Sequence, residues 1–243
     1  MLEVTTGLQG GPPRIVLYGD PGIGKSTFAA SAPNAVFLPT EDGLRRIDCA
    51  RLPMAKSYAE FVNSLGQVAA GEHGYDTLVV DSLGWLQRLI QAEVGHTQKT
   101  DYAEIGYGKG PQLAMRLWKE VVDGFTFLSD ERGMGVVLIG HAVNEKYADP
   151  QTESYERITL ALEKQASAYI REWADAVLYA TQKKRVSVED LGFKKTRATA
   201  KPIGEDGGTR VLQCSNSPAC VAKNRYGITG EIPLSWDELA KYF

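Results

Sequence analysis

The chain has 243 residues, 43% of them apolar and 23% charged, with 25 glycines, which is ordinary globular usage and excludes a coiled coil, a collagen-like repeat and a disordered chain. This length leaves one large α/β domain or two small ones open. A formal charge of -3, from 27 Lys+Arg against 30 Asp+Glu, argues against a protein that coats nucleic acid or an anionic membrane with its whole surface, while a local basic patch stays compatible with it.

Along the chain, the first basic residue is Arg14, so the charged region of a secretory signal is missing. The first strand is predicted over Arg14 to Tyr18, followed by a glycine-rich turn and a helix starting at Lys25. A second apolar run, Ala35 to Leu38, ends in Thr40-Glu41-Asp42-Gly43. From Ser57 to Ala70 the spacing places Tyr58, Phe61, Val62, Leu65 and Val68 on one face, an amphipathic helix with Ser57 as N-cap. Thr77 to Asp81 and Gly135 to Gly140 are continuous apolar runs, the pattern of parallel strands covered on both faces. Helices are expected between them, over Leu83 to Val94 and about Gln112 to Arg132. The apolar stretch around Val136 to Ile139 is too short to span a bilayer, so a soluble cytoplasmic protein with no membrane partner is expected. Cys49, Cys214 and Cys220 lack C-x-x-C spacing and there are three histidines, a poor basis for a zinc site or a disulfide framework.

Alternating strands and helices imply right-handed crossovers and an α/β layered fold, with a mainly parallel sheet flanked by helices. The sheet is expected to run to about Tyr179. From Lys183 the sequence becomes alternating and turn-rich, and Arg185 to Val188, the Gly204 to Gly208 turn and Arg210 to Gln213 suggest a β-hairpin extension. With no repeat or linker to divide it, the chain reads as one unit over residues 1–243, with a core over about 12–181 and a C-terminal segment over about 182–243.

Gly19-Asp20-Pro21-Gly22-Ile23-Gly24-Lys25-Ser26, followed by Thr27, matches G-x-x-x-x-G-K-[ST] between a strand and a helix, the context that a phosphate-binding loop requires. Its glycines let backbone N–H groups turn around a phosphate chain. Lys25 would reach the β- and γ-phosphates of ATP, and the Ser26 hydroxyl would hold Mg2+. Asp81, at the end of an apolar strand, is placed to serve the same metal, or alternatively to cap the helix that follows. Ser82 stands after it where many such ATPases carry a glutamate. A water-activating base must then come from elsewhere, and Glu41, at the end of a neighbouring strand, is the candidate, with a solvated loop carboxylate as the other reading. His141 ends the next strand, either as a γ-phosphate sensor or as a strand-end histidine satisfied by its neighbours.

Three segments following the phosphate loop, Phe37 to Leu44, Leu78 to Ser82 and Val137 to His141, resemble the RecA-type ATPase core. That resemblance implies Glu41 as catalytic base, Asp81 in the metal site and His141 as sensor. Ala222-Lys223-Asn224-Arg225-Tyr226-Gly227 resembles the K-N-R-F-G motif of RadA and the K-N-R-N-G of DnaB-type helicases. There the lysine and arginine act on the nucleotide of the neighbouring subunit, and the other reading is a basic surface turn. With Ile105 to Gly110 and Tyr169 to Leu178, the chain from about Arg14 to Trp236 is similar to the phage RecA-like AAA family that includes the Sak-type single-strand annealing proteins. The similarity implies a RecA-like P-loop fold and an Mg2+-dependent ATPase. It also implies a homo-oligomer, ring or filament, acting on single-stranded DNA in recombination, with a single-strand-binding protein as a further partner. A RadA- or DnaB-like translocase and a KaiC-like nucleotide-switched scaffold without DNA binding stay open. The N-terminal oligomerisation helix and the C-terminal domain of bacterial RecA have no counterpart in the sequence.

Two segments are candidates for DNA contact by the same resemblance. They are Glu104 to Pro111, with Tyr107 and Lys109 between glycines, and the polar stretch Asn144 to Tyr155, with Lys146 and Tyr147. An aromatic beside a cation on a loop suits base stacking with phosphate contact, and also suits an ordinary surface loop. From Lys183 to Arg225 there are ten Lys/Arg against four Asp/Glu, a basic segment on an acidic body that fits a phosphate backbone, a subunit contact or a solvated hairpin.

Overall fold

A computed structural model describes residues 2, 4–7, 10–106, 108–149, 153–190, 196–204 and 208–243. In chain order its elements are β1 (Arg14–Gly19), α1 (Lys25–Ala30), β2 (Ala35–Pro39), β3 (Ala50–Arg51), α2 (Tyr58–Ala70), β4 (Thr77–Asp81), α3 (Leu83–Gln98), α4 (Lys109–Asp130), β5 (Gly135–Tyr147), β6 (Tyr155–Leu160), α5 (Lys164–Trp173), β7 (Ala176–Gln182), β8 (Lys184–Asp190), β9 (Thr196–Pro202), β10 (Arg210–Gln213), β11 (Lys223–Asn224), β12 (Glu231–Pro233) and α6 (Trp236–Leu239). The main sheet runs β12, β10, β7, β1, β5, β4, β2, β3, with β11 also on β7 and β6 on β5. Its centre, from β7 to β3, is parallel throughout. The strands β10, β11 and β12 close its far edge antiparallel. This is the mainly parallel, helix-flanked α/β sheet that the alternating runs predict.

The continuous apolar strands are buried on both faces because successive side chains point to opposite sides. Val16, Tyr18, Leu78, Val80, Val136 and Leu138 pack under α2, α3, α4 and α5. Ile15, Leu17, Val79, Val137 and Ile139 pack on the other face, with Phe28 and Ala29 of α1 and Trp236 and Leu239 of α6. Ser57 caps α2, its hydroxyl accepting the Glu60 amide at 3.1 Å, while the Glu60 carboxylate takes the Lys56 amide at 2.8 Å, a reciprocal cap. The helix α1 stops after six residues, just before Pro33. Among the described residues no helix is long and apolar enough to cross a membrane.

Three segments differ from expectation. The C-terminal hairpin exists, but β8 pairs with β9 rather than with Arg210 to Gln213. The apolar pair Val211 and Leu212 is instead buried against β7 and β12, because a strand that carries core residues gains more on the main sheet than in an isolated ribbon. The polar stretch after His141 begins and ends as strand rather than as loop. The strand β5 continues past the sheet to Tyr147 and pairs with β6 from Ala142↔Leu160 to Tyr147↔Tyr155. Its alternation was hidden by polar residues on both faces of an exposed ribbon. Finally, α4 begins at Lys109, three residues before Gln112, entered through Gly108 at φ 75°.

Candidate nucleotide site

The glycine-rich loop leaves β1 at Gly19, beside Ala180 of β7. A Cβ on Gly19 would lie 2.4 Å from the Ala180 carbonyl oxygen, so this close approach of two backbones admits no side chain. Gly22 and Gly24 adopt φ of 77° and 108°, the left-handed region that glycine enters without strain. Lys25 is buried, with 6% of its surface exposed. Its Nζ donates to the carbonyls of Gly19 and Asp20, both at 2.9 Å. The lysine thus spans the mouth of its own loop. Burial lowers its pKa, against the opposing pull of Asp81, Asp20 and Glu41.

Two strand ends on one side of β1 supply the carboxylates. Asp81 ends β4, buried, and accepts the Ser26 hydroxyl at 2.6 Å; desolvation raises its pKa despite that bond. Glu41 follows β2 and accepts the Ser82 hydroxyl. Ser82 is itself fixed by Thr40, whose Oγ1 accepts the Ser82 amide at 2.8 Å and donates to the Ser82 carbonyl at 2.7 Å. His141 Nε2 stands 3.6 Å from the Glu41 carboxylate. The His141 ring, ahead of the Ser82 hydroxyl, holds Glu41 below the usual carboxylate range, with burial opposing. His141 Nδ1 is buried without a hydrogen-bond partner, the condition of a polar atom that awaits a ligand or water.

Ser26 and Asp81 present adjacent hard oxygens, the donors Mg2+ takes when nucleotide phosphates and water complete its shell. No cluster of three or more His, Cys, Asp or Glu among the described residues could hold a metal without such help. The residues therefore fit the ion as a partner of the phosphates.

Lys223 and Arg225 are not brought to this loop. The strand β11 pairs with Val177 and Ala176 at the start of β7, the opposite end of the sheet from Gly19. Lys223 Nζ donates to the carbonyls of Arg171, Glu172 and Ala174 at 2.9, 2.8 and 2.7 Å, capping the end of α5. Arg225 pairs with Asp175 at 2.8 Å, and Asp175 also takes both Arg14 nitrogens at 3.0 and 2.9 Å. Burial opposes ionisation of Asp175, but the two arginines outweigh it and hold the carboxyl low. A cavity of about 950 Å3 opens here, lined by Arg14, Asp175, Arg225, Tyr226 and Phe243.

Of the residues considered for DNA, Tyr107 lies outside the described residues. Lys109 opens α4, exposed. Lys146 and Tyr147 sit at the far end of β5, on the ribbon that continues directly from His141. Tyr147 packs on Tyr155 at 5.5 Å between ring centroids, with the Arg157 guanidinium 4.5 Å from its centroid. Sequence reasoning missed two contributors. Thr40 and Ser82, inside motif segments but given no role of their own, brace Glu41, and Arg210, which no local motif marks, reaches the loop from across the sheet.

Residues 11–226 match the family model described as an AAA domain. The crystal structure of the RadB recombinase is similar over 90% of this chain and 85% of that chain, with 12% sequence identity and a TM-score of 0.48. No curated protein matches the sequence.

Proposed function

The chain belongs to the AAA domain family, and on that footing we propose that it binds ATP with Mg2+, hydrolyses it, and couples that cycle to single-stranded DNA in phage-type recombination, promoting annealing or pairing. The observation that carries the nucleotide half is the convergence of Lys25 and Ser26 of α1 with Asp81 and Glu41 at two neighbouring strand ends, each held by a named partner. Lys25 exchanges the carbonyls of Gly19 and Asp20 for phosphate oxygens. Ser26 and Asp81 would hold Mg2+, which when bound would supply positive charge to offset that of the phosphates. Glu41, ionised at neutral pH, orients the attacking water, and His141 senses the γ-phosphate with a ring already beside that carboxylate.

Such positioning alone gives slow turnover, and a trans-acting arginine is worth about 10³ to 10⁵ in rate. Arg225 and Lys223, remote from the loop of their own chain, suit action on the nucleotide of a neighbouring copy in a ring or filament. The ribbon bearing Lys146 and Tyr147 offers a cation beside a pair of tilted tyrosine rings to a single strand. It starts at the sensor, so nucleotide state and DNA contact share one strand. A single-strand-binding protein would supply the DNA in its cellular form. The test is fluorescence-monitored annealing of complementary oligonucleotides with ATP and Mg2+. Acceleration by wild type but not by Lys25→Ala is expected; no acceleration by a protein that still hydrolyses ATP sinks the DNA half.

A further inference from the structure

Arg210 lies far from every motif, at the start of β10, yet its guanidinium reaches the phosphate loop. Leu212 sits opposite Ala180, which neighbours Gly19, and it is buried on the α1 face of the sheet. Arg210, two residues away and opposite Gln182, therefore shares that face and lies just beyond the strand end where the loop begins. A Cβ on Gly24 would stand 3.1 Å from Arg210 Nη1 and 3.7 Å from Leu234 Cδ2. The Leu234 amide donates to the Arg210 carbonyl at 3.1 Å, which ties the two residues together beside the loop. Among the described residues no carboxylate forms an ion pair with Arg210, and it is exposed.

The sheet order gives this position a direction. Glu41 follows β2, Asp81 ends β4 and His141 lies within β5 opposite Gly19, all on one flank of β1, whereas β7 and β10 form the other. A nucleotide whose γ-phosphate meets the carboxylate flank has the β7 and β10 flank open to its remaining phosphates. We propose that Arg210 is a second cation of the nucleotide site, contributed in cis, that binds the α/β-phosphate side of the ligand with Leu234 as its apolar neighbour. This inference rests on the ATP-binding reading above.

Calorimetric titration of the full chain with ADP and with ATP, each with Mg2+, tests it. Loss of a charge-assisted hydrogen bond in Arg210→Ala should weaken both ligands alike by about tenfold. Arg210→Lys should recover part of that loss, and added salt should narrow the gap between wild type and Arg210→Ala. Melting without nucleotide checks that each variant is folded. Unchanged affinity for both ligands overturns the proposal, as does weakening of ATP with ADP unaffected, which would place Arg210 at the γ-phosphate. In a parallel titration with GTP and Mg2+, a loss for ADP and ATP that exceeds the loss for GTP follows the base and overturns the phosphate assignment. Wild-type protein that binds neither ligand defeats the ATP reading itself.

Discussion

Lys223 and Arg225 form one motif but are held very differently, and that difference separates what each contributes to stability from the trans role proposed for them. Lys223 donates to three carbonyls at the end of α5, where the helix presents unsatisfied acceptors and partial negative charge. Because those carbonyls are partly open to water and can be resolvated, Lys223→Ala should cost at the low end for charged hydrogen bonds, about 1–2 kcal/mol. In a protein of this size that lowers Tm by roughly 2–8 °C. Arg225 makes one ion pair, with Asp175, and half of its side chain is exposed, so Arg225→Ala should cost no more than about 1 kcal/mol. Neither residue is near Gly19, so both variants should bind ATP like wild type. Melting by circular dichroism, nucleotide titration and steady-state hydrolysis read the three quantities separately. For Arg225→Ala the expected result is a near-native Tm, intact binding and assembly-dependent hydrolysis lower by about 10³ or more. Mixing Arg225→Ala with Lys25→Ala should restore part of the rate, since the second protein supplies an intact arginine to the first protein's intact site. Wild-type turnover by Arg225→Ala, or no restoration in the mixture, refutes the trans assignment.

Three further outcomes follow from the geometry. Glu41→Gln keeps the hydrogen bond of Ser82 but removes the base, so hydrolysis should fall by about 10² to 10⁴ while ATP titration stays unchanged; equal loss of binding would make Glu41 a ligand instead. Asp175 is held below the ordinary carboxyl value of 3.8, so its contribution to stability is present above that value and lost as pH falls through the lower folded one. Asp175→Asn should therefore melt earlier than wild type at pH 7, and the gap should narrow as pH falls below the ordinary carboxyl value; a gap independent of pH would contradict the charge account. Gly19→Ala puts a methyl 2.4 Å from the Ala180 carbonyl oxygen, forcing β1 and β7 apart at a cost of about 1–3 kcal/mol, read as a lower Tm together with weaker ATP binding.

The central sheet was legible because its strands are buried on both faces, so apolar runs such as Leu78 to Val80 and Val136 to Ile139 announce themselves. The glycine-rich turn between β1 and α1 was legible because its glycines fall at close, fixed spacing between an apolar strand and a helix. What escaped depended on partners distant in sequence. Thr196 to Pro202 carries no apolar alternation, so its pairing with β8 could not be read locally, and Val211 and Leu212 were drawn to the sheet by β7 rather than by their turn. The exposed ribbon after His141 has polar residues on both faces, which erases the period of two. Arg210 meets Gly24 from 186 residues away in the chain, a contact created only by the antiparallel addition of β10 to β7.

The central claim joins a nucleotide site to single-stranded DNA, and the steady-state ATP hydrolysis rate measured with and without single-stranded DNA tests that union most directly. The account predicts Mg2+-dependent hydrolysis that rises when single-stranded DNA is added and is abolished by Lys25→Ala in both conditions. Hydrolysis abolished by Lys25→Ala but indifferent to single-stranded DNA would contradict it, leaving an ATPase whose assembly serves another partner.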